Sequence, residues 1–350
     1  MGMGWEKTLE EYGMLIEERL EKTFSKIIGE AENYHPFIKD IYTCLKEFTL
    51  RRGKRLASCS TLLVYKGYAD TVDEKILDVC TGIEIYRQSI LVHDDLVDME
   101  EKRRGGRTIH RIFADKFDER LGVGVAVFLG NIAYSMAVQI VMNAGLSQEK
   151  AAETVLLLSE GYREVNESQI LDLLFEYRDV DFDEWRVMAS KRAASLFKVT
   201  LVTGGILGGA PEGDLRLLKD AAVNMGYAFD IQDDIIDTFA SEEQYGRPPC
   251  GDIRLGKKPL HIVYALKSAD PEVLKVLRSL RSRGSLSREE VEKVRSLVRR
   301  TGGLDNAKKA SRKHAEEARS LIARTSMRGE AKEFFSSMIT YMESSLDWYR

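Results

Sequence analysis

The sequence predicts an all-α fold, a single domain of stacked helices over residues 1–350. Three observations lead there. Of six prolines, none lies between Pro36 and Pro211, and so long an interval without the residue that removes a backbone donor and blocks the preceding turn suits continuous helix. Strand-like alternation of apolar and polar residues is sparse. Helix starts are legible, because Ser, Thr or Asp followed three residues later by Glu satisfies free backbone donors of the first turn reciprocally.

Helices are expected near 5–30, 37–48, 54–68, 72–99, 121–144, 148–178, 182–208 and 213–240, and shorter ones near 258–268, 271–282, 288–301, 304–323 and 329–347. Thr71 with Glu74, Asp181 with Glu184, and Ser287 with Glu290 mark three starts. Asp270-Pro271 marks another, with the imino acid at the first helical position, where no donor is needed. Two breaks, Arg103-Arg-Gly-Gly-Arg-Thr108 and Tyr245-Gly-Arg-Pro-Pro-Cys-Gly251, each follow an acidic helix end. No linker, repeat or low-complexity segment interrupts the chain, which favours one domain.

Apolar residues make up 44% and charged ones 31%, with a net charge of -4. That balance is the profile of a soluble globular protein and gives no reason to expect a nucleic-acid partner. The first residues lack a long apolar core, and no run reaches the roughly 18 uninterrupted apolar residues of a membrane span. The expectation is a cytoplasmic protein that is not integral to a membrane. Cys44, Cys59, Cys80 and Cys250 lack paired metal-ligand spacing, so they are expected as small buried thiols in a reducing compartment.

Two acidic clusters carry the chemistry. In Leu91-Val-His-Asp-Asp-Leu-Val-Asp98, Asp94 and Asp98 stand one turn apart with Asp95 beside them. In Asp230-Ile-Gln-Asp-Asp-Ile-Ile-Asp237, positions 230, 233, 234 and 237 share one helical stripe, while Ile231, Ile235 and Ile236 occupy other faces. Like charges so spaced repel, and a cation removes that penalty. Hard carboxylate oxygens without His or Cys point to magnesium, which typically joins one or two carboxylates to substrate phosphates. The competing reading of each cluster is a solvated acidic face. Basic residues complement the acids: Arg51-Arg-Gly53-Lys54-Arg55 forms a positive loop before a helix, and Arg103 and Arg104 follow the first cluster. Arg87 lies seven residues before Asp94 and projects from the same face. A bound diphosphate would account for it, as would an ion pair to Glu84 or Asp94.

Together these residues resemble the trans-isoprenyl diphosphate synthases, which include farnesyl, geranylgeranyl and longer polyprenyl diphosphate synthases. The match runs through Gly53-Lys54-Arg55, Asp94-Asp95-Leu-Val-Asp98, Arg103-Arg104-Gly105, Gln169 with Asp172, Phe229-Asp-Ile-Gln-Asp233-Asp234-Ile-Ile-Asp237, and Gly246-Arg-Pro-Pro-Cys-Gly-Asp252-Ile-Arg-Leu-Gly-Lys257. The resemblance implies a bundle of antiparallel helices around a central cavity, the isoprenoid synthase fold. It implies that Asp94, Asp95, Asp98, Asp233, Asp234 and Asp237 hold a magnesium cluster, about three ions, on an allylic diphosphate. Arg103, Arg247 and Lys257 would contact that diphosphate; Lys54, Arg55, Arg87 and Arg104, with Gly53, would hold isopentenyl diphosphate. Gln169, Asp172, Arg192, Phe229 and Asp230 belong to the implied substrate-binding set. The chain departs from the family pattern where Arg192-Ala193 replaces Lys-Thr, Asp230 a glutamine, Gly246-Arg247 Gly-Lys, and Arg87 a frequent histidine. A homodimer is also implied, with segment 121–144 a candidate for the pairing surface.

Below the first cluster, Ile83, Tyr86 and Ile90 form an apolar stripe that could line a tail tunnel. In the family, aromatic residues four and five positions before the first aspartate stop growth early; here those positions hold Ile90 and Ser89. The nearest large barrier is Tyr86, roughly 12 Å below Asp94. The stripe so read gives a product of about twenty to twenty-five carbons; the competing reading makes Tyr86 ordinary core packing. A terpene cyclase and a catalytically silent partner subunit are the rival functions.

Overall fold

The computed structural model describes residues 4–51, 53–268, 270–280 and 286–346, with the backbone alone at Arg278. Arg52 of the basic loop, positions 281–282 of one expected helix and position 347 of another lie outside the described residues. Chain order runs α1 (Gly4–Tyr34), α2 (Pro36–Leu50), α3 (Leu56–Tyr68), α4 (Glu74–Val97), β1 (Lys102–Arg103), β2 (Gly106–Arg107), α5 (Ile109–Lys116), α6 (Glu119–Met142), α7 (Gln148–Glu176), α8 (Phe182–Ala189) and α9 (Ala193–Gly208). It continues with α10 (Glu212–Phe239), α11 (Glu242–Tyr245), α12 (Gly251–Leu255), α13 (Leu260–Lys267), α14 (Pro271–Leu280), α15 (Arg288–Arg300), α16 (Gly303–Arg324) and α17 (Gly329–Ser344). The all-α expectation holds, and the sole sheet among the described residues is the antiparallel pair β1–β2.

The residues group into two compact units. One comprises Met1–Ser159, Val199–Leu215 and Ser326–Ala331; the other comprises Glu160–Lys198, Arg216–Thr325 and Lys332–Arg350.

In the first unit, α4 is buried nearly all round through its middle, with Val79, Cys80, Ile83, Ile85 and Tyr86 inside. That is why its sequence shows little amphipathic contrast. It packs most extensively on α6, which also packs on α5. The approach of α4 to α6 depends on Gly130, because the ring of His93 occupies the place where a Cβ at 130 would stand. Helix α6 is long and apolar enough to cross a membrane by length and composition. The start of α4 differs from expectation: its cap is Asp73, whose Oδ1 accepts the Ile76 N–H at 3.0 Å, and not Thr71. A carboxylate adjoining the first helical residue reaches the free donors that Thr71 is too distant to meet.

In the second unit, reciprocal caps form at Asp181/Glu184 and Ser287/Glu290 as expected, and Asp270 Oδ1 accepts the Glu272 N–H at 2.9 Å at the start of α14. Trp185, Met188, Ile231, Ile235, Val263 and Leu297 belong to one apolar core. The expected single helix over 182–208 is two, α8 and α9, broken at Ser190–Arg192. Ser190 ends α8 by donating its hydroxyl to Val187 O, and Asp230 Oδ2 accepts the Ala193 N–H at 3.2 Å. Part of the capping for α9 thus comes from a carboxylate thirty-seven residues away in sequence.

Candidate active site

In the first unit, the acidic residues of 94–98 occupy the last turn of α4, with Asp98 as its C-cap. Helix carbonyls already concentrate negative charge there, so carboxylates at this end are unfavourable without a cation. The chain supplies one from the hairpin that follows. Arg103 donates from Nε to Asp95 Oδ1 at 2.5 Å and from Nη2 to Asp94 Oδ2 at 3.1 Å. Burial nevertheless pushes the Asp95 carboxyl up to about 6, against the pull of Arg103, and its Oδ2 is buried without a hydrogen-bond partner. The hairpin turns in two residues, Arg104 and Gly105, both with positive φ (51° and 80°), the type I′ geometry that suits strand twist.

Three basic residues of the same unit, Arg55, Arg87 and Arg104, gather around a residue the sequence did not single out as a site, Glu84, which is fully buried. Its carboxylate accepts from Ser58 Oγ and from Gln88 Nε2, each at 2.9 Å. Arg55 Nη1 lies 3.5 Å from it and Arg87 Nη1 3.8 Å, so the ion pair foreseen for Arg87 is present. Burial works against the Glu84 charge, but Arg87, Arg55, Arg104 and the Ser58 hydroxyl outweigh it and hold the carboxyl below its usual range. Arg55 is buried at a left-handed N-cap of α3 (φ 46°). It also reaches Glu17 at 3.0 Å and Thr49 O at 2.5 Å, while its Nη2 is buried and unpartnered. Burial and the neighbouring Arg87 bring Arg104 down to about 9. A side chain at Gly53 would meet the Arg104 guanidinium at 2.8 Å, so glycine is what lets Arg104 lie on that backbone. Lys54 Nζ lies 3.6 Å from Glu6 and 5.4 Å from the Trp5 ring centroid. The sequence signals for Glu84 are its place as a lone acid in the apolar run Ile83-Glu84-Ile85 and its position three residues before Arg87.

Further back along α4, Ile83, Tyr86 and Ser89 are buried and Ile90 half-buried. Ser89 Oγ donates to Tyr86 O at 2.7 Å. The Tyr86 ring is backed by Tyr134 of α6, with centroids 6.3 Å apart.

In the second unit, the residues of 230–237 also occupy the C-terminal turns of their helix, α10. Asp230, Asp234 and Asp237 are buried and Asp233 half-buried. Arg192 lies 4.0 Å from Asp172, 4.0 Å from Asp230 and 3.9 Å from Asp234. Burial opposes the Arg192 charge, but those carboxylates outweigh it and raise its affinity for the proton. Burial also pushes Asp230 up to about 7 and raises Asp234 and Asp237, with repulsion from Asp252 adding to both. Asp252 goes the other way: burial is outweighed by Lys257, Arg192 and Arg247. Lys257 Nζ lies 3.4 Å from Asp172 and 3.5 Å from Asp252. The Asp237 carboxylate accepts the Gly251 N–H at 3.1 Å and the Asp252 N–H at 3.3 Å, so the segment carrying Lys257 is folded onto the acidic helix. Arg247 lies 4.4 Å from the Tyr245 ring centroid. Phe229 meets the Phe197 ring at 5.8 Å, and Gln169 is half-buried one turn before Asp172 on α7.

Each cluster taken by itself fits a hard divalent ion. Asp234 Oδ2, like Asp95 Oδ2, is a buried carboxylate oxygen with no hydrogen-bond partner. Among the described residues no three His, Cys, Asp or Glu side chains converge as a closed ligand set, so an ion held here would take further oxygens from water or substrate.

The polyprenyl synthetase profile matches residues 38–298. A short chain isoprenyl diphosphate synthase from Methanocaldococcus jannaschii is 27% identical, over 78% of this chain and 81% of the relative. A geranylfarnesyl diphosphate synthase from Aeropyrum pernix is 27% identical, over 83% of this chain and 89% of the relative. The crystal structure of a geranylgeranyl pyrophosphate synthase from Corynebacterium glutamicum, complexed with isoprenyl diphosphate and magnesium, superposes with a TM-score of 0.89 at 22% identity, covering 96% of this chain and 99% of that one. At that identity the likeness establishes the fold, the all-α isoprenoid synthase fold.

Proposed function

The chain belongs to the polyprenyl synthetase family of prenyltransferases, and from that premise we propose that it condenses an allylic prenyl diphosphate with isopentenyl diphosphate. The reading treats residues 1–350 as one functional domain, with magnesium as cofactor and a product of about twenty to twenty-five carbons, since Tyr86 stands roughly 12 Å below Asp94. One observation carries it: each acidic cluster buries a carboxylate oxygen that has no partner of its own, Asp95 Oδ2 and Asp234 Oδ2.

Asp94, Asp95, Asp98, Asp233, Asp234 and Asp237 would hold about three magnesium ions, which neutralise the diphosphate and make it a better leaving group. Arg103, Arg247 and Lys257 would donate to the same diphosphate as charge builds on it. Lys54, Arg55, Arg87 and Arg104 would hold the isopentenyl diphosphate, and the unpartnered Arg55 Nη2 is a donor waiting for an anion. Departure of pyrophosphate leaves an allylic cation; the isopentenyl double bond attacks it, and loss of a proton to the released pyrophosphate gives the new trans alkene. No protein nucleophile is needed. Arg192 and Asp230 stand where the family has lysine and glutamine, and they face one another as an ion pair.

Relatives named as synthases do not favour the cyclase or silent-subunit readings. We further propose a cytoplasmic homodimer paired through α6, which exposes Val123, Val127 and Phe128 beside a groove of ≈ 660 Å³ lined by Ile38, Tyr42 and Leu121. The experiment is incubation of the purified chain with magnesium, labelled isopentenyl diphosphate and each allylic primer in turn, followed by chromatography of the dephosphorylated products. Chains of twenty or twenty-five carbons are expected, and absence of incorporation with every primer would refute the assignment.

A further inference from the structure

We infer that Glu84 is the positioning residue of the isopentenyl diphosphate subsite: one buried carboxylate that holds Arg55 and Arg87 in place and offsets the positive charge they share with Arg104. The inference rests on the function proposed above. Three guanidinium groups so close repel one another, and Arg55 is buried deeply enough that solvent does little to screen the repulsion. Glu84 sits where it offsets that repulsion, in contact with Arg55 at 3.5 Å and Arg87 at 3.8 Å and close enough to Arg104 to bear on its charge. Glu84 is itself fixed by Ser58 and Gln88 at 2.9 Å each, so it cannot swing toward a substrate. With Glu17 on Arg55, two carboxylates face three guanidiniums, and the cluster keeps a net positive charge that suits a diphosphate. Because Glu84 is fully buried and engaged on all sides, it acts through the arginines and touches no reacting atom.

Two variants separate charge from shape. Glu84→Gln keeps the shape and removes the charge, and Glu84→Asp keeps the charge and shortens its reach. In Glu84→Gln the KM for isopentenyl diphosphate should rise roughly tenfold or more, the scale of one lost charge-assisted hydrogen bond, with the KM for the allylic primer within about twofold of wild type, while Glu84→Asp recovers most of the loss. Calorimetric titration with inorganic pyrophosphate should show the same order of affinities. If Glu84→Gln does not fold, Ser58→Ala carries the test, since it removes one hydrogen bond from Glu84 and no arginine side chain is altered; a KM rise of about threefold for isopentenyl diphosphate alone is expected. An unchanged KM in the folded variants, or equal losses in Gln and Asp, would overturn the inference. Wild-type protein that incorporates no isopentenyl diphosphate would instead overturn the function on which it rests.

Discussion

The two acidic clusters share a sequence pattern and a place at the C-terminal turns of a helix, yet they are neutralised differently. The cluster of α4 takes its counter-charge from the chain that follows at once, through Arg103 on a tight hairpin, and Asp94 keeps a quarter of its side-chain surface exposed. The cluster of α10 is deeper, with Asp234 at 3% exposure, and its nearest counter-charge is Arg192, which is remote in sequence. The first is a locally assembled site that tolerates water, and the second is a tertiary site whose acids are part of a packed interior. Equal chemical roles would therefore come with unequal structural cost.

The sharpest way to break this comparison is to remove one acid from each. Asp94→Ala and Asp234→Ala should both lower kcat about a thousandfold or more, read from isopentenyl incorporation. Thermal unfolding should distinguish them, with little change for Asp94→Ala and a clear loss for Asp234→Ala, which strips a buried partner from Arg192. Next in size is Arg192→Met. It leaves Asp172, Asp230 and Asp234 facing one another, and denaturant unfolding should show a loss of about 3–5 kcal/mol. Arg103→Met, at the more open cluster, should lose less than that.

Acidity sharpens the contrast further. The folded-state affinities of Asp95 and Asp230 for the proton are raised to about 6 and about 7, above the unfolded value of 3.8, so the folded chain binds more protons than the unfolded chain in that window. Stability without metal should then fall as pH rises from about 4 to 7, most of it from the second cluster. Thermal melts across that range with and without magnesium and pyrophosphate measure it, and the bound ions should flatten the slope. The smallest effect is expected at Tyr86→Ala, which should move the product toward longer chains with unchanged magnesium dependence. Because Tyr134 stands behind Tyr86, the shift from that single change should be partial. An unchanged product distribution in the chromatogram would exclude Tyr86 as a floor.

What could be read from the sequence was whatever lies within a few residues. The caps at Asp181/Glu184 and Ser287/Glu290 each need only one turn of chain. Thr71/Glu74 failed because Asp73, two residues nearer, competes for the same donors and wins. The helix break at Ser190–Arg192 was invisible because the acids that draw Arg192 out and the carboxylate that caps Ala193 lie elsewhere in the chain. The short helix α5 offers a single helical repeat, Ile109, Ile112 and Phe113, too brief to stand out, and the hairpin has no periodic signal beyond the glycine pair Gly105-Gly106. The aspartate stripes were legible through helical spacing, whereas the role of Glu84 depends on arginines at positions 55 and 104 that only folding brings to it.

The hairpin between α4 and α5 has a consequence of its own. Arg103 and Arg104 are neighbours in the chain, but one serves Asp94 and Asp95 and the other lies by Glu84, sites ten residues apart on α4 and so roughly 15 Å distant along its axis. A reversal confined to two left-handed residues is what sends consecutive side chains on such divergent errands. Inserting a single residue there would misdirect both cations at once, and the enzyme would lose its grip on donor and acceptor together, a combined defect that neither arginine replaced alone would produce.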